Sequence, residues 1–256
     1  MRIVIKIGTS TLAHPSGLLN IKRVEELCKI MSDLKNAGNE IILVSSGAIG
    51  MGVGKLSLHE KPHDIPTRQA AAAVGQCELM YTYDKLFSEY NHTVAQILIT
   101  GDDVEHENRR HNFENTVLRL LQLGVLPIIN ENDTISTDEI VIGDNDTLGA
   151  IVAKAVNADL FILLSDIDGL FTADPHKDEN AQLISVVGEI TPEIEKMTDG
   201  AGSKLGTGGM TTKLKAAVTA NAAGIDMVIA NGKNPKLLYD IVDGKSVGTK
   251  FLAKKA

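Results

Sequence analysis

The sequence predicts an α/β protein, a three-layer αβα sandwich built on a mainly parallel central sheet. Short apolar runs alternate with longer stretches whose apolar residues recur at helical spacing, the order that lays parallel strands between two helix layers. The run "DLFILLSD" (159–166) is apolar almost without a break, which suits a strand buried on both faces. Several strand-like runs end in loops of Gly, Ser, Asn or Asp: "GTS", "SSGAIG", "NEND" and "LLSD". Ligands in open parallel sheets bind beyond the carboxyl ends of the strands, so these loops are expected to crowd one edge.

Residues 2–7 form the first strand and end in "GTS". Ile21, Val24, Leu27, Cys28, Met31 and Leu34 then recur at helical spacing until Gly38 closes the helix. "EIILV" (40–44) is the second strand. It runs into "SSGAIG", which places backbone N–H groups with Ser45 and Ser46 at a helix N-terminus, a ready anion site. Residues 67–90 read as a long helix, 93–100 as a strand, and 113–123 as a helix closed by Gly124. "VLPIIN" (125–130) is the next strand, followed by a polar loop, "EIVIG" (139–143) and a helix over 146–156. After the strand at 159–166 come "QLISVVGEI", a short helix near Pro192 and a helix over 210–223. The strand "DMVIAN" (226–231), a helix over 235–242 and an extended piece ending at Leu252 complete the chain. No repeat or low-complexity linker interrupts it, so one domain over 1–256 is expected.

The chain has 256 residues, 43% of them hydrophobic, enough to bury a substantial core. A formal net charge of −8 removes the positive field that draws proteins to nucleic acid or anionic membrane. An anionic ligand must then be held by local groups. "MRIVIKIGTS" is too short in its apolar part, and too interrupted by Lys6, to be a signal peptide, and no later apolar run approaches membrane-spanning length. A cytoplasmic location, with no membrane or nucleic-acid partner, is the expectation. Cys28 and Cys77 lack C-x-x-C spacing and read as free, buried thiols.

The common phosphate motifs fail on spacing. Gly244-Lys245-Ser246 has Tyr239 where a Walker A loop needs its first glycine, and the G-x-G pairs at Gly206 and Gly50 are followed by Thr211 and Lys55 where a dinucleotide fingerprint needs a small residue. "HEKPH" places His59 and His63 at zinc-protease spacing, but Pro62 would break the helix that must align them, and a solvated loop is the better reading. "GDDVEHENRR" reads as a solvated surface or subunit-contact loop. Lys6 is different: a lysine in an apolar strand either snorkels at an edge or meets an anion at the strand end. "INEND" (129–133) and "GDND" (143–146) each put carboxylates and amides in loops, where they can bind an ammonium, orient lysines or cap a helix. In "GTGGMTTKLKAA" (206–217) the glycines allow close backbone approach to phosphate; Lys213 is the functional choice, and Lys215, two residues on, is solvated.

In this order, "VIKIGTS", "VSSGAIG", "INEND", "IGDND", "LLSDIDGLFTADP" and "GTGGMTTKLKAA" resemble the amino acid kinase family, and within it the branch that phosphorylates glutamate. The resemblance covers essentially the whole chain. It implies ATP-dependent phosphorylation of the γ-carboxylate of L-glutamate, the first step of proline synthesis, with Mg2+ carried mainly by ATP oxygens and water and no protein metal ligand named. Lys6 and Lys213 would contact the ATP phosphates, with Asp146 holding the two lysines in position. Ser46, Gly47, Asp133 and Asn145 would bind glutamate. Ser165, Asp166, Thr207, Gly208, Gly209, Met210, Thr211, Thr212 and Lys213 would line the nucleotide site. Alternatives are a kinase for another small anion (acetylglutamate, carbamate, aspartate or UMP) and a non-catalytic amino-acid sensor. The resemblance further implies a homo-oligomer, dimer or tetramer, and proline as a feedback inhibitor. Many members of the branch carry a C-terminal PUA domain, and this chain stops about where the kinase domain would end.

Overall fold

Alternation of side chains across the strands divides the interior into two apolar layers, one on each face of a single sheet. In the computed structural model, residues 1–14, 18–58, 60, 62–135, 145–175, 177–197 and 209–253 are described. The elements run β1 (Arg2–Ile7), α1 (Thr9–Leu12), α2 (Ile21–Asn36), β2 (Glu40–Ser45), α3 (Ala48–Lys55), α4 (Ile65–Ser88), β3 (Val94–Ile99), α5 (Gly101–Glu105) and α6 (Glu107–Gln122). They continue with β4 (Leu126–Glu131), α7 (Asn145–Ala155), β5 (Leu160–Ser165), β6 (Val186–Val187), α8 (Pro192–Lys196), α9 (Met210–Ala222), β7 (Asp226–Asn231), α10 (Leu237–Val242) and β8 (Thr249–Phe251). The strand order is β3-β4-β2-β1-β5-β7-β8-β6. Among the described strands the pairings from β3 to β7 and that of β6 with β8 are parallel, and β7–β8 is antiparallel. This is the three-layer sandwich the alternating pattern predicts.

On β1, Ile3, Ile5 and Ile7 belong to the layer shared with α2, α4 and α10, while Val4 belongs to the layer shared with α6, α7 and α9. Lys6 has the parity of Val4 and therefore lies on the α7–α9 side. Its register partners are Val44 on β2 and Leu163 on β5, so the lysine is flanked on both sides by central strands. The chain leaves β1 toward β2 on one side and reaches β5 on the other only after β4. That reversal is the switch point at which open α/β sheets bind ligands.

One expected element and one expected burial differ. The helix expected at 113–123 begins at Glu107, because only Phe113, Val117 and Leu121 face the core and its first turns carry no apolar signal. Cys28 is buried as expected, but Cys77 is exposed. On α4 the buried positions include Gly75, Gln76, Leu79 and Tyr83, and Cys77 lies a helical step off that stripe. "EIVIG" and the loop before Gly209 lie outside the described residues. Among the described residues no helix is long and apolar enough to cross a membrane.

Helices α3 and α4 meet backbone to backbone. A Cβ on Gly52 would sit 1.8 Å from the Ala71 carbonyl oxygen, and one on Gly75 would sit 1.8 Å from that of Ala48. No side chain fits either position without parting the helices. Gly75→Ala is expected to cost about 3 kcal/mol in urea unfolding. Gly188→Ala, where nothing lies within 4 Å of the added carbon, is expected to change stability by less than about 0.5 kcal/mol.

Candidate active site

Three charged side chains meet above the carboxyl end of β1. Lys6 is 8% exposed, Lys213 5% and Asp146 1%. Lys6 Nζ donates to Asp146 Oδ1 at 2.5 Å and Lys213 Nζ to Asp146 Oδ2 at 3.0 Å, so each carboxylate oxygen takes one ammonium. Thr212 Oγ1 lies 3.1 Å from Asp146 Oδ2 and 2.8 Å from the Gly209 carbonyl oxygen, its one hydrogen lying between two acceptors. Burial pushes the Asp146 carboxyl up, but the charges and hydrogen bonds of Lys6 and Lys213 outweigh it and hold the group below the usual carboxylate range. The snorkelling reading of Lys6 is thereby excluded: its ammonium is buried and paired.

The meeting depends on close approach of α7 to the sheet. A Cβ on Gly149 would lie 2.6 Å from the Phe161 ring and 3.3 Å from Lys6 Cβ, so only glycine lets the first turn of α7 bring Asp146 down to the lysine. Gly8 keeps room on the other side. A Cβ there would stand 3.5 Å from Lys6 Nζ and 3.9 Å from Ser10 Oγ, filling the space into which the ammonium opens. A space beside an ammonium and free of side chains is one that could receive an anionic group.

The residues expected around a nucleotide border the same edge where they are described. Ser165, at the end of β5, is buried and its Oγ donates to Asp166 Oδ1 at 3.0 Å, while its carbonyl oxygen accepts from Gly232 N–H at 2.7 Å. Gly209 precedes α9 and Met210, Thr211 and Thr212 form its first turn, with Lys213 buried and Lys215 exposed. Thr207 and Gly208 lie outside the described residues. Among the described residues there is no group of three or more His, Cys, Asp or Glu arranged for a metal.

The second half of the site adjoins the first through α7. Asn145 opens the helix immediately before Asp146, and its Nδ2 donates to Ser46 Oγ at 2.7 Å and to Asn130 Oδ1 at 3.0 Å. Ser46 follows β2, tied to β1 by its N–H to the Ile7 carbonyl oxygen at 3.0 Å. Gly47 caps α3 with φ of 108°, a left-handed conformation that glycine adopts without strain. Asp133 is half-buried beyond the end of β4; burial raises its carboxyl above the ordinary value, and the Arg68 guanidinium opposes that shift. The structure thus brings Ser46, Asn145 and Asn130 into one cluster and Lys6, Asp146 and Lys213 into another, adjoining through residues 145 and 146.

Arg68, Gln76 and Asn130 were not among the expected site residues. Asn130 lies inside "INEND", and Gln76 is a polar residue on the buried stripe of α4, a signal visible in the helical spacing. Arg68 offers no such signal. His63 stands in the turn before α4, and His59 lies outside the described residues. A groove of about 650 Å³ lined by Lys22, Glu26, Tyr90 and Tyr239, among others, contains none of the site residues.

Residues 1–231 match the model of the amino acid kinase family. The chain is 55% identical over 258 residues to a glutamate 5-kinase of Clostridium perfringens, covering 99% of this chain and 96% of that protein. It is 55% identical over 253 residues to one of Clostridium tetani, covering 99% and 95%. Among solved structures it resembles a carbamate kinase from Giardia lamblia bound to AMP-PNP (TM-score 0.70, 17% identity, 98% of each chain). It also resembles the isopentenyl phosphate kinase of T. acidophilum in a product complex (TM-score 0.68, 16% identity, 98% of this chain and 100% of that one), and these two likenesses bear on the fold alone. Matched by the family model over residues 1–231 and by relatives at 55% identity over nearly its full length, the chain belongs to the amino acid kinase family, on its glutamate 5-kinase branch.

Proposed function

We propose that the protein transfers the γ-phosphoryl group of ATP to the γ-carboxylate of L-glutamate, yielding L-glutamyl 5-phosphate and ADP, the first step of proline synthesis. The observation that carries the reading is the buried Lys6–Asp146–Lys213 clamp joined through Asn145 to a cluster of amides and a hydroxyl. A carboxylate oxygen attacks the γ-phosphorus and the bond to the β-phosphate bridging oxygen breaks, its electron pair leaving with ADP. No proton moves, because the nucleophile is already ionised at neutral pH, so the site needs no general base. It needs positive charge on both sides of the transferring group and alignment of two anions that repel.

Lys6 and Lys213 supply that charge from β1 and α9, and Asp146 holds their spacing before substrate arrives. Ser165, Asp166 and the first turn of α9 would line the nucleotide, with the segment that includes Thr207 and Gly208. Mg2+ bound with ATP would neutralise phosphate oxygens. Ser46, Gly47, Asp133 and Asn145 would hold glutamate, Asp133 by pairing with the α-ammonium.

Trapping the acyl phosphate with hydroxylamine tests the reaction: glutamate should give a hydroxamate, whereas turnover of acetylglutamate, carbamate, aspartate or UMP with none of glutamate would refute the assignment. Lys213→Ala is expected to lower kcat by about 100-fold or more, the cost of losing one preorganised donor at the reacting centre, measured as ADP release at saturating substrates. Asp133→Ala should raise the glutamate KM by about 10- to 100-fold and leave the ATP KM within about 3-fold. Arg68 favours the ionised form of Asp133. Arg68→Ala therefore raises the Asp133 pKa and should shift the acid limb of glutamate kcat/KM to higher pH; an unmoved limb would contradict the pairing.

A further inference from the structure

The orientation of a side-chain amide can be deduced when it faces a group that only donates. Glu131 N–H is such a group, and it lies 2.9 Å from the Asn130 side chain, so the Asn130 atom it meets is the oxygen. Asn130 Nδ2 then faces Gln76, whose contact atom at 2.9 Å must be Oε1. The same Asn130 oxygen lies 3.0 Å from Asn145, whose contact atom must be Nδ2. That nitrogen also donates to Ser46 Oγ at 2.7 Å, which occupies both of its hydrogens. Two consequences follow. Asn145 Oδ1 is buried and has no hydrogen-bond partner among the described residues, which leaves an acceptor unused. Ser46 Oγ is already an acceptor, so its own hydrogen is left to donate.

Gln76 is 7% exposed and Asn130 2%, which puts both amides behind the surface of the site. We infer that Gln76 and Asn130 are positioning residues that fix the polarity of Asn145 and Ser46, so that Asn145 Oδ1 accepts from the α-ammonium of the amino-acid substrate while the Ser46 hydroxyl donates to a carboxylate. The inference rests on the proposed glutamate reading and adds the source of its selectivity for an amino acid over a plain dicarboxylate. Without the Gln76 oxygen, Asn130 Nδ2 loses its acceptor, and the amide is held through its oxygen alone, by Glu131 N–H. Asn130 then anchors Asn145 less firmly, and the Asn145 oxygen is less well fixed where the ammonium binds.

The test compares glutamate with glutarate, the same dicarboxylate without the ammonium, by hydroxamate formation and by ADP release. Gln76→Met, close in shape but without the oxygen, should lower the glutamate-to-glutarate ratio of kcat/KM by about 10-fold or more, mainly through the glutamate KM, with the ATP KM within about 2-fold. Gln76→Glu offers Asn130 an oxygen in either orientation and should keep the ratio within about 3-fold of wild type. The relay is refuted by a Met variant in which both acceptors lose equally, or by a Glu variant that loses discrimination. The Glu variant decides alone where Gln76→Met gives no folded protein. A wild-type protein inactive on glutamate overturns the substrate reading and this inference together, whereas an active wild type with an unaltered ratio in Gln76→Met overturns the relay only.

Discussion

A carboxylate held between two ammonium groups, all three nearly out of water, is the interaction on which the rest of this structure turns. Moving such ions from water into a protein interior costs several kcal/mol each, and their attraction offsets that only when the geometry is close and the remaining hydrogen-bonding capacity is used. Here Asp146 gives one oxygen to Lys6 and the other to Lys213. The three residues come from β1, α7 and α9, elements that share one apolar layer. Packing of that layer fixes the separation of the ammonium groups, and the carboxylate prevents two like charges from forcing it apart.

The same helix start serves both halves of the site. Consecutive residues of α7 point to different groups: Asn145 toward Ser46 and Asn130, Asp146 toward the lysines. A helix advances about 100° per residue, so neighbours cannot share a direction, and here that divergence separates two recognition tasks. The substrate-facing loop after β2 has its own support. Ser45 Oγ and Tyr83 Oη lie 2.8 Å apart, and α3 is pressed against α4 through glycines. The position of Ser46 is thus supported through its neighbour by α4, a helix of 24 residues, as well as by its own bond to β1.

Much of the frame was legible because strand and helix periods are local. Lys6 stood out as a charge in an apolar strand, and "INEND" and "GDND" as polar clusters where a sheet edge was expected. The partnership of Lys6 with residues 140 and 207 positions away was not local, and only the resemblance to a family suggested it. Gln76 could be seen as a polar residue on a buried stripe, but its meaning depends on an amide brought alongside by β4. The glycines at 52, 75 and 149 looked like ordinary small residues, because a close approach exists only once two elements are packed. Cys77 was misread as buried since residue type suggested burial where helical phase did not.

Strand β1 pairs along its length with β2 and along most of it with β5, and Lys6 shares the face of Val4 rather than that of Ile5 and Ile7. Side chains alternate strictly along a strand, so parity alone decides which layer receives the lysine. Tolerance to changes in chain length is therefore uneven across the molecule. Loops at the amino edge, such as the one around Gly38, can gain or lose a residue without reversing any side chain. One residue deleted within β1 would send the ammonium unpaired into the apolar layer of α2, α4 and α10 and bring an isoleucine to Asp146, so a single deletion would break the site and bury uncompensated charge on both faces of the sheet.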